Sequence, residues 1–401
     1  MRVLIADAFE QSGIAGLEAA GCEVVFQPGL KGDALREAIA TTRADVLVVR
    51  STQVTAPMLE AGALSLIVRA GAGYNTIDVA AASSRGIYVS NCPGKNAVAV
   101  AELALGMLLA LDRRIPDNVV ALRAGTWNKK EFSKARGVFG STLGLVGYGS
   151  IGQEVARRAL GFGMRVVVWS RRFASGEQPS DLPVTAVRSL DDLATTADIV
   201  SVHLALNKDT RGLLDASFFR RMKPGAAFIN TARAEVVDYA ALENAVTDRG
   251  LRVALDVFPD EPATGSGDFS TPLAALPNVY GTHHIGGSTD QAQEAIAAET
   301  VRVITAYMTT GKVPNVVNLA RTTPATHMLI VRHRDKPGVL AAVFDQLRSI
   351  GLNVQETENI IFDGAEAAVA RINMDGCPSA DDIAALCERN HNILDVRVVA
   401  L

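Results

Sequence analysis

The sequence predicts an α/β protein built from two doubly wound parallel sheets, followed by a smaller βαββαβ unit. Three observations carry this reading. Short β-branched runs alternate with helical patterns through the first two-thirds of the chain, as parallel strands joined by crossover helices require. A glycine-rich turn, Gly147-Tyr148-Gly149-Ser150-Ile151-Gly152, stands between an apolar strand and a helix. Beyond a Pro/Thr-rich stretch near 315–326 the order changes to strand, helix, strand, strand, helix, strand. The 401 residues fit two to three domains at roughly 150 residues each.

The first strands are VLIAD, CEVVFQ, DVLVVR, LSLIVR and IYVSN, with helical stretches such as GDALREAIATT between them. The most apolar stretch, Ala97–Leu111, is about 15 residues long with Glu102 inside it, too short for the roughly 20 residues that span a bilayer. It reads as a core or interface helix with Asn96 as its N-cap. The segment RRIPDNVVALRAGTW leads to six further strands: TLGLVGYG, RVVVWS, DIVSVHL, AAFIN, RVALDVF and NVYGTHH. The tail runs HMLIVRHR, GVLAAVFDQLRSIG, NVQETENIIF, AEAAVARINMD, SADDIAALCERN and ILDVRVVAL, a ferredoxin-like order.

Composition excludes several function classes. At 48% hydrophobic the chain is not disordered as a whole. Its net charge of −4 lies entirely in residues 327–401, where 11 acids face 7 bases. Such a chain has no global field for nucleic acid or an anionic membrane, so an anionic substrate must be held by a few local residues. The N-terminus MRVLIADAFE places Asp7 and Glu10 where a secretion signal would be apolar. The four cysteines, Cys22, Cys92, Cys377 and Cys387, form no CxxC and neighbour no metal-spaced histidine. Neither a disulfide framework nor a metal site is expected, and a reducing, cytoplasmic compartment is.

In its context the glycine motif reads as a Rossmann-like dinucleotide fingerprint, because the strand RVVVWS follows the helix it opens; a plain tight βα turn is the alternative. Gly147 permits the tight turn, Gly149 lets the backbone approach a pyrophosphate, and Gly152 allows close helix–strand contact. Ser150 and Ile151 stand at the helix N-terminus, which attracts the anion. The end of the next strand decides the cofactor. A carboxylate there binds the ribose 2′-hydroxyl of NAD, but the chain has Ser170-Arg171-Arg172. Serine does not repel a 2′-phosphate and two arginines suit one, so NAD or NADP is expected, with NADP use favoured; a solvated arginine loop is the plain alternative.

Three later segments end strands on the ligand side of a parallel sheet. Asn230-Thr231-Ala232-Arg233 presents an arginine suited to a carboxylate and a reacting carbonyl, or to a surface ion pair. Asp256-Val257-Phe258-Pro259-Asp260-Glu261-Pro262 and His283-His284-Ile285-Gly286-Gly287-Ser288 bring carboxylates and a histidine to the same edge. A histidine there is a natural proton donor and a nearby carboxylate would fix its tautomer, although a histidine in such a position, taken alone, is more often structural. His203, in SVHLAL, reads as a packed core histidine.

Taken together, GYGSIG, NTAR, DVFPDEP and HHIGGST resemble the D-2-hydroxyacid dehydrogenases over essentially the whole chain. The resemblance implies an enzyme with a catalytic set of Arg233, Glu261 and His284: the histidine protonates the carbonyl as hydride arrives, the glutamate supports it, and the arginine orients a 2-hydroxy or 2-keto acid. It implies that Thr231, Ala232, Asp256 and Gly286 surround the cofactor. It places Arg50 and Ser51, the neighbouring Arg69, Gly73 and Asn75, and Asn96 around the substrate, with Arg50 on its phosphate or carboxylate unless that arginine merely ends its strand. It also implies a nucleotide-binding domain at 97–286 inserted into a substrate-binding domain built from 1–96 and 287–318. Residues 327–401 resemble an ACT domain. There His333, Asp335, Gly338 and Asn353 would bind a small amino acid such as serine, unless the domain only dimerises. A homodimer or homotetramer is expected, with helix 97–111 and the tail as contact surfaces. Members of such families also include non-enzymatic dinucleotide or amino-acid sensors, which the intact Arg/Glu/His set does not exclude.

The sequence departs from the family pattern at three positions. Ala234 replaces the usual glycine after Arg233 and would resist a positive φ. His283 replaces the usual proline before His284, freeing φ and adding a second ring. Ser170 replaces the usual acid.

Overall fold

The five β-branched runs at the start of the chain form β1 (Arg2–Ile5), β2 (Glu23–Phe26), β3 (Val46–Val49), β4 (Leu66–Arg69) and β5 (Tyr88–Asn91), a parallel sheet in the order β2-β1-β3-β4-β5. In this computed structural model, which describes residues 1–179, 181–262 and 266–401, a second parallel sheet follows. Its strands are β6 (Thr142–Val146), β7 (Arg165–Trp169), β8 (Thr185–Ala186), β9 (Ile199–Val202), β10 (Ala227–Asn230), β11 (Arg252–Leu255) and β12 (Val279–Gly281), ordered β12-β11-β10-β9-β6-β7-β8. Every residue of β3, β6, β9 and β10 is buried, because helices cover both faces. The two-residue β8 has too little apolar pattern to be read from sequence.

Each sheet has a core on either face. Helix Asp290–Thr310 returns to the first sheet, where Ile296, Val303 and Ile304 pack with Val3, Ile5, Val46 and Val48. Helix Ala97–Arg113 packs on the second sheet through Ala101, Ala104, Leu105, Leu108 and Leu111. Ten of its seventeen residues are buried, so one side of it belongs to the core, while Val98 on the same helix is exposed. Further exposed apolar side chains lie just beyond: helix Ile115–Arg123 has no buried residue, and Val120, Leu122, Trp127 and Phe139 all face solvent. Asn96 also differs from expectation. It occupies the N-cap position, but its side chain makes no capping bond and its Oδ1 is buried without a partner among the described residues.

The chain divides into Met1–Asn318 and Leu319–Leu401. The linker expected from 315 starts later, because Val316 bridges to Ser90, the Val317 amide donates to the Val89 carbonyl at 2.8 Å, and Asn318 Oδ1 accepts from the Val89 amide at 2.9 Å. The C-terminal unit is an antiparallel sheet of β13 (His327–Arg334), β14 (Val354–Ile361), β15 (Ala367–Met374) and β16 (Ile393–Ala400), ordered β14-β15-β13-β16. Helices Val339–Ser349 and Ala380–Arg389 supply Val343, Leu347 and Leu386 to its core. Among the described residues no helix is long and apolar enough to cross a membrane.

Within the first unit, buried Glu299 on helix Asp290–Thr310 ties three segments together. It accepts from Arg302 at 3.0 and 2.6 Å and from Asn315 Nδ2 at 2.7 Å, and lies 3.3 Å from Lys95 Nζ. The Arg302 hydrogen bond chiefly, then those of Asn315 and Lys95 against the opposing effect of burial, hold its carboxyl down at about 2, from an ordinary 4.5. A folded-state value below the unfolded one stabilises the fold above pH 4.5 and loses that contribution as pH falls towards 2. Thermal midpoints measured across this window should therefore fall for the native chain. They should fall less steeply for Glu299→Gln; identical slopes would contradict the assignment.

Candidate active site

The order of the second sheet reverses between β9 and β6, and the glycine-rich turn leaves β6 at that switch point, where open α/β sheets place their ligands. Gly147 has φ +104°, and a Cβ on it would sit 2.5 Å from the His203 carbonyl oxygen. A Cβ on Gly152 would collide with the Gly147 carbonyl oxygen, whereas one on Gly149 would meet nothing within 4 Å. Two glycines thus close the turn and the third leaves its backbone open at the start of helix Ser150–Gly161. Ser150 lines a cleft of about 270 Å³ with Pro93, Gly94, Lys95, Ala97 and Gln153. Just beyond β10 and β9, the strands next along the sheet from this turn, Thr231 Oγ1 and His203 Nδ1 are buried with no partner among the described residues. Polar atoms left in this state, beside an open glycine backbone, fit a bound dinucleotide. His203 is held by Ser201 Oγ at 2.9 Å, and burial drives its pKa down to about 3, so it stays neutral.

At the end of β7, Ser170 Oγ caps the short helix Arg171–Ala174 by accepting from the Phe173 amide. Both arginines are exposed and already partnered: Arg171 lies 2.7 Å from Asp209, and Arg172 lies 3.4 Å from Glu177 with its guanidinium over the Phe173 ring. Asp209 was not visible as a neighbour in the sequence, since it lies on the segment after β9.

Four buried Asp or Asn side chains, each at or just beyond the C-terminal end of a strand, hold the loops that carry the remaining candidate residues. Asn230 ends β10; its Oδ1 accepts from the Ala232 amide and its Nδ2 donates to the Arg233 carbonyl, both at 3.0 Å. Asp256 follows β11 and holds the loop beyond β12: Oδ1 accepts from Thr282 Oγ1 at 2.7 Å and the Ile285 amide at 2.8 Å, and Oδ2 accepts from the Gly286 amide at 2.8 Å. Gly286 leaves room for that carboxylate, which a Cβ would approach to 2.9 Å. Asp7 follows β1 and accepts from the amides of Arg50, Ser51 and Thr52. Asn91 ends β5 and donates to the Ala72 carbonyl at 2.5 Å. Of the four, only Asp256 was singled out from sequence. The signal for the others was there, an Asx closing an apolar run in LIAD, VSN and FIN, but such residues also end strands simply as turn formers.

The loop held by Asp256 carries His284, whose Nδ1 lies 2.7 Å from Glu261 Oε2. Burial would raise the Glu261 carboxyl, but hydrogen bonds from His284 and the Phe258 amide outweigh it and hold the group below the ordinary carboxylate range. Glu261 is therefore an acceptor only, so Nδ1 carries the proton between them and Nε2 is left free of that bond. The left-handed backbone expected to trouble Ala234 is not found there. Ala234 begins a 3₁₀ turn, Ala234–Val236, which an alanine adopts without strain. Positive φ falls instead on Asp260 (+59°) and His284 (+54°), the residues that aim the Glu–His pair.

Arg233 lies near enough to Glu261 for the two charges to act on each other. Its Nη1 donates to the Ala232 carbonyl at 2.6 Å, and its Nη2 occupies the space a Cβ on Gly73 would need. Arg69 fills the space over Gly71 in the same way, and Asn75 lies beside Gly73. Burial first, then the charges of Arg233 and Arg50, lower the Arg69 guanidinium to about 10. Three arginines thus converge with none in an ion pair among the described residues. In the C-terminal unit, His333 is buried with Nδ1 2.8 Å from the Arg334 carbonyl and Nε2 3.2 Å from Asn359 Oδ1, a partner that sequence reading missed. Gly338 has φ +85° at the start of its helix, and the Asn353 amide donates to Asp375 at 2.9 Å.

A glycine-rich switch-point turn, a Glu–His pair and an arginine at one sheet edge define a dinucleotide-dependent oxidoreductase class. The family described as D-isomer specific 2-hydroxyacid dehydrogenase, NAD binding domain, matches residues 105–286. The chain is 44% identical over 263 residues to a hydroxypyruvate reductase of Thermotoga maritima, covering 65% of this chain and 83% of that one. It is 35% identical over 370 residues to the D-3-phosphoglycerate dehydrogenase of Escherichia coli, covering 88% and 87%. The 39% identical enzyme of that name in Mycobacterium tuberculosis matches 88% of this chain, which spans only 66% of that relative's length. A solved 3-phosphoglycerate dehydrogenase of Entamoeba histolytica with bound NAD+ superposes with TM-score 0.67 at 27% identity, over 80% of this chain and 99% of that one. The chain belongs to the D-isomer specific 2-hydroxyacid dehydrogenase family, and is an oxidoreductase with an NAD-binding domain.

Proposed function

We propose that the chain is a D-3-phosphoglycerate dehydrogenase, oxidising 3-phospho-D-glycerate to 3-phosphohydroxypyruvate, the step that opens L-serine biosynthesis. The observation that carries this reading is the convergence of Arg50, Arg69 and Arg233, none of them in an ion pair among the described residues, although the charges of Glu235 and Glu261 reach Arg233. Three unpaired guanidinium groups in one cleft suit a ligand bearing both a carboxylate and a phosphate better than one bearing a carboxylate alone. In this reading Arg233 orients the 2-keto acid, and Arg50, Ser51, Arg69, Gly73, Asn75 and Asn96 line the remainder of its site. His284 holds at Nε2 the proton that passes to or from the substrate oxygen, while Glu261 keeps the ring in the tautomer that allows it. Gly147, Gly149, Ser150, Ile151 and Gly152 would cradle the pyrophosphate, and Thr231, Ala232, Asp256 and Gly286 would border the cofactor, whose nicotinamide when bound supplies or takes the hydride.

A second reading, an NADPH-dependent hydroxypyruvate or glyoxylate reductase, is favoured by the 44% identity to the Thermotoga hydroxypyruvate reductase. The proposed cofactor is NAD or NADP, with Arg171 as the 2′-phosphate contact, which requires it to leave Asp209. Initial rates with 3-phosphohydroxypyruvate, using NADH and NADPH side by side, test both points. Turnover is expected, with NADPH accepted; no turnover with either cofactor would overturn the substrate assignment, and rejection of NADPH alone would overturn the role of Arg171.

The proposed division keeps 97–286 as the nucleotide domain inserted in a substrate domain of 1–96 and 287–318, consistent with the packing of helix Asp290–Thr310 on the first sheet. For 327–401 we propose an ACT-type regulatory domain binding a small amino acid such as serine near Asp335, Gly338 and Asn353. His333 would take part by exchanging its Asn359 partner. A cytoplasmic homodimer or homotetramer is proposed, and the uncovered apolar residues of helix Ile115–Arg123 offer a contact surface for it.

A further inference from the structure

We propose that Asp7 is a positioning residue for the acid-binding side of the cleft: it fixes the Arg50–Thr52 loop so that Arg50 and Ser51 meet the substrate. This rests on the reading of Arg50 and Ser51 as substrate contacts. Asp7 is only 7% exposed and no catalytic step uses it. Its Oδ2 accepts from three successive amides, those of Arg50 at 2.6 Å, Ser51 at 3.0 Å and Thr52 at 3.1 Å, and its Oδ1 accepts from Thr52 Oγ1 at 2.8 Å. A turn whose amides all point at one oxygen is set in a single conformation, and a carboxylate is the strongest acceptor for it.

The arrangement also explains why the arginines stay available. Asp7 is near enough for its charge to act on Arg69, yet its lone pairs are taken by backbone donors rather than by a guanidinium. A carboxylate free to swing towards Arg50 or Arg69 would compete with an anionic substrate. Asp7 thus does for the loop after β3 what Asp256 does for the His284 loop after β12. In both cases the anchor comes from a neighbouring strand, β1 beside β3 and β11 beside β12, so the register of the sheet is transmitted to the loop.

The test compares Asp7→Ala, Asp7→Asn, Thr52→Val and Arg50→Ala in the full chain, measuring KM for the 2-keto acid that is turned over, KM for the reduced cofactor, and the thermal midpoint. Asp7→Ala is expected to raise the keto-acid KM by about tenfold to a hundredfold, the scale of a misplaced binding group, with the cofactor KM unchanged. Asp7→Asn keeps an oxygen for the three amides and lets Thr52 accept instead of donate, so it should recover most of the loss. Should Asp7→Ala fail to fold, Thr52→Val is expected to give a smaller rise in the same KM. A folded Asp7→Ala or Thr52→Val with an unchanged keto-acid KM, or one whose two KM values rise together, would overturn the proposal. If Arg50→Ala leaves the keto-acid KM unchanged, the underlying reading of the loop fails; if it raises that KM while Asp7→Ala does not, the positioning role alone fails.

Discussion

Replacing His284 by asparagine is expected to lower kcat by about 10²–10⁴-fold, the range over which a positioned acid–base group contributes to proton transfer. Asparagine is the informative replacement because His284 has φ +54°, a left-handed backbone that asparagine tolerates better than most residues. The loop itself should survive, since the amides of Ile285 and Gly286 and the hydroxyl of Thr282 remain bound to Asp256. Cofactor affinity, read by fluorescence titration of the reduced dinucleotide, should then be near that of the native chain. A rate within tenfold of native would remove His284 from the chemistry.

Arg233→Lys is the second large effect. Arg233 reaches the cleft past Gly73, which has no Cβ to obstruct it, and one of its nitrogens is already committed to the Ala232 carbonyl. A lysine has a single rotatable ammonium, so it cannot hold that carbonyl and also present a planar pair of donors to a carboxylate and a ketone. The loss falls on groups that gain charge during reaction, and kcat/KM should drop by about 10²–10³-fold. Steady-state kinetics of the variant check this, and a loss under threefold would mean that Arg233 acts only as a distant charge.

Most of the strands were legible because buried parallel strands are written as short β-branched runs, as in VLVV of β3 and AFIN of β10. The Gly147–Gly152 turn was legible for a related reason: Gly152 answers to the carbonyl of Gly147 and Gly147 to the His203 carbonyl just beyond the adjoining strand, while Gly149 leaves the backbone open. What sequence did not reveal was set by contacts between distant segments. Asp7 and Thr52 are 45 positions apart and meet only because β1 pairs with β3, a neighbour relation that no periodicity encodes. Asp209 meets Arg171, and Asn359 meets His333, by the same kind of crossing. Ala234 was misjudged for a different reason. The backbone conformation of one residue depends on the turn that follows it, here a 3₁₀ turn that accepts a Cβ, while the positive φ moved to His284 and Asp260. Helix Ala97–Arg113 reads alike as a core or an interface helix because both are apolar; the structure packs one side of it on the second sheet and leaves Val98 exposed.

On the proposed function, Arg50, Arg69 and Arg233, none in an ion pair among the described residues, select a substrate carrying a phosphate as well as a carboxylate. The measurement that tests it most directly is kcat/KM for 3-phosphohydroxypyruvate against hydroxypyruvate, at saturating reduced cofactor and fixed ionic strength. The expected result is a preference of about 10²-fold or more for the phosphorylated acid, the scale of one or two charge-assisted hydrogen bonds in a partly buried site. Equal values, or a preference for hydroxypyruvate, would contradict it.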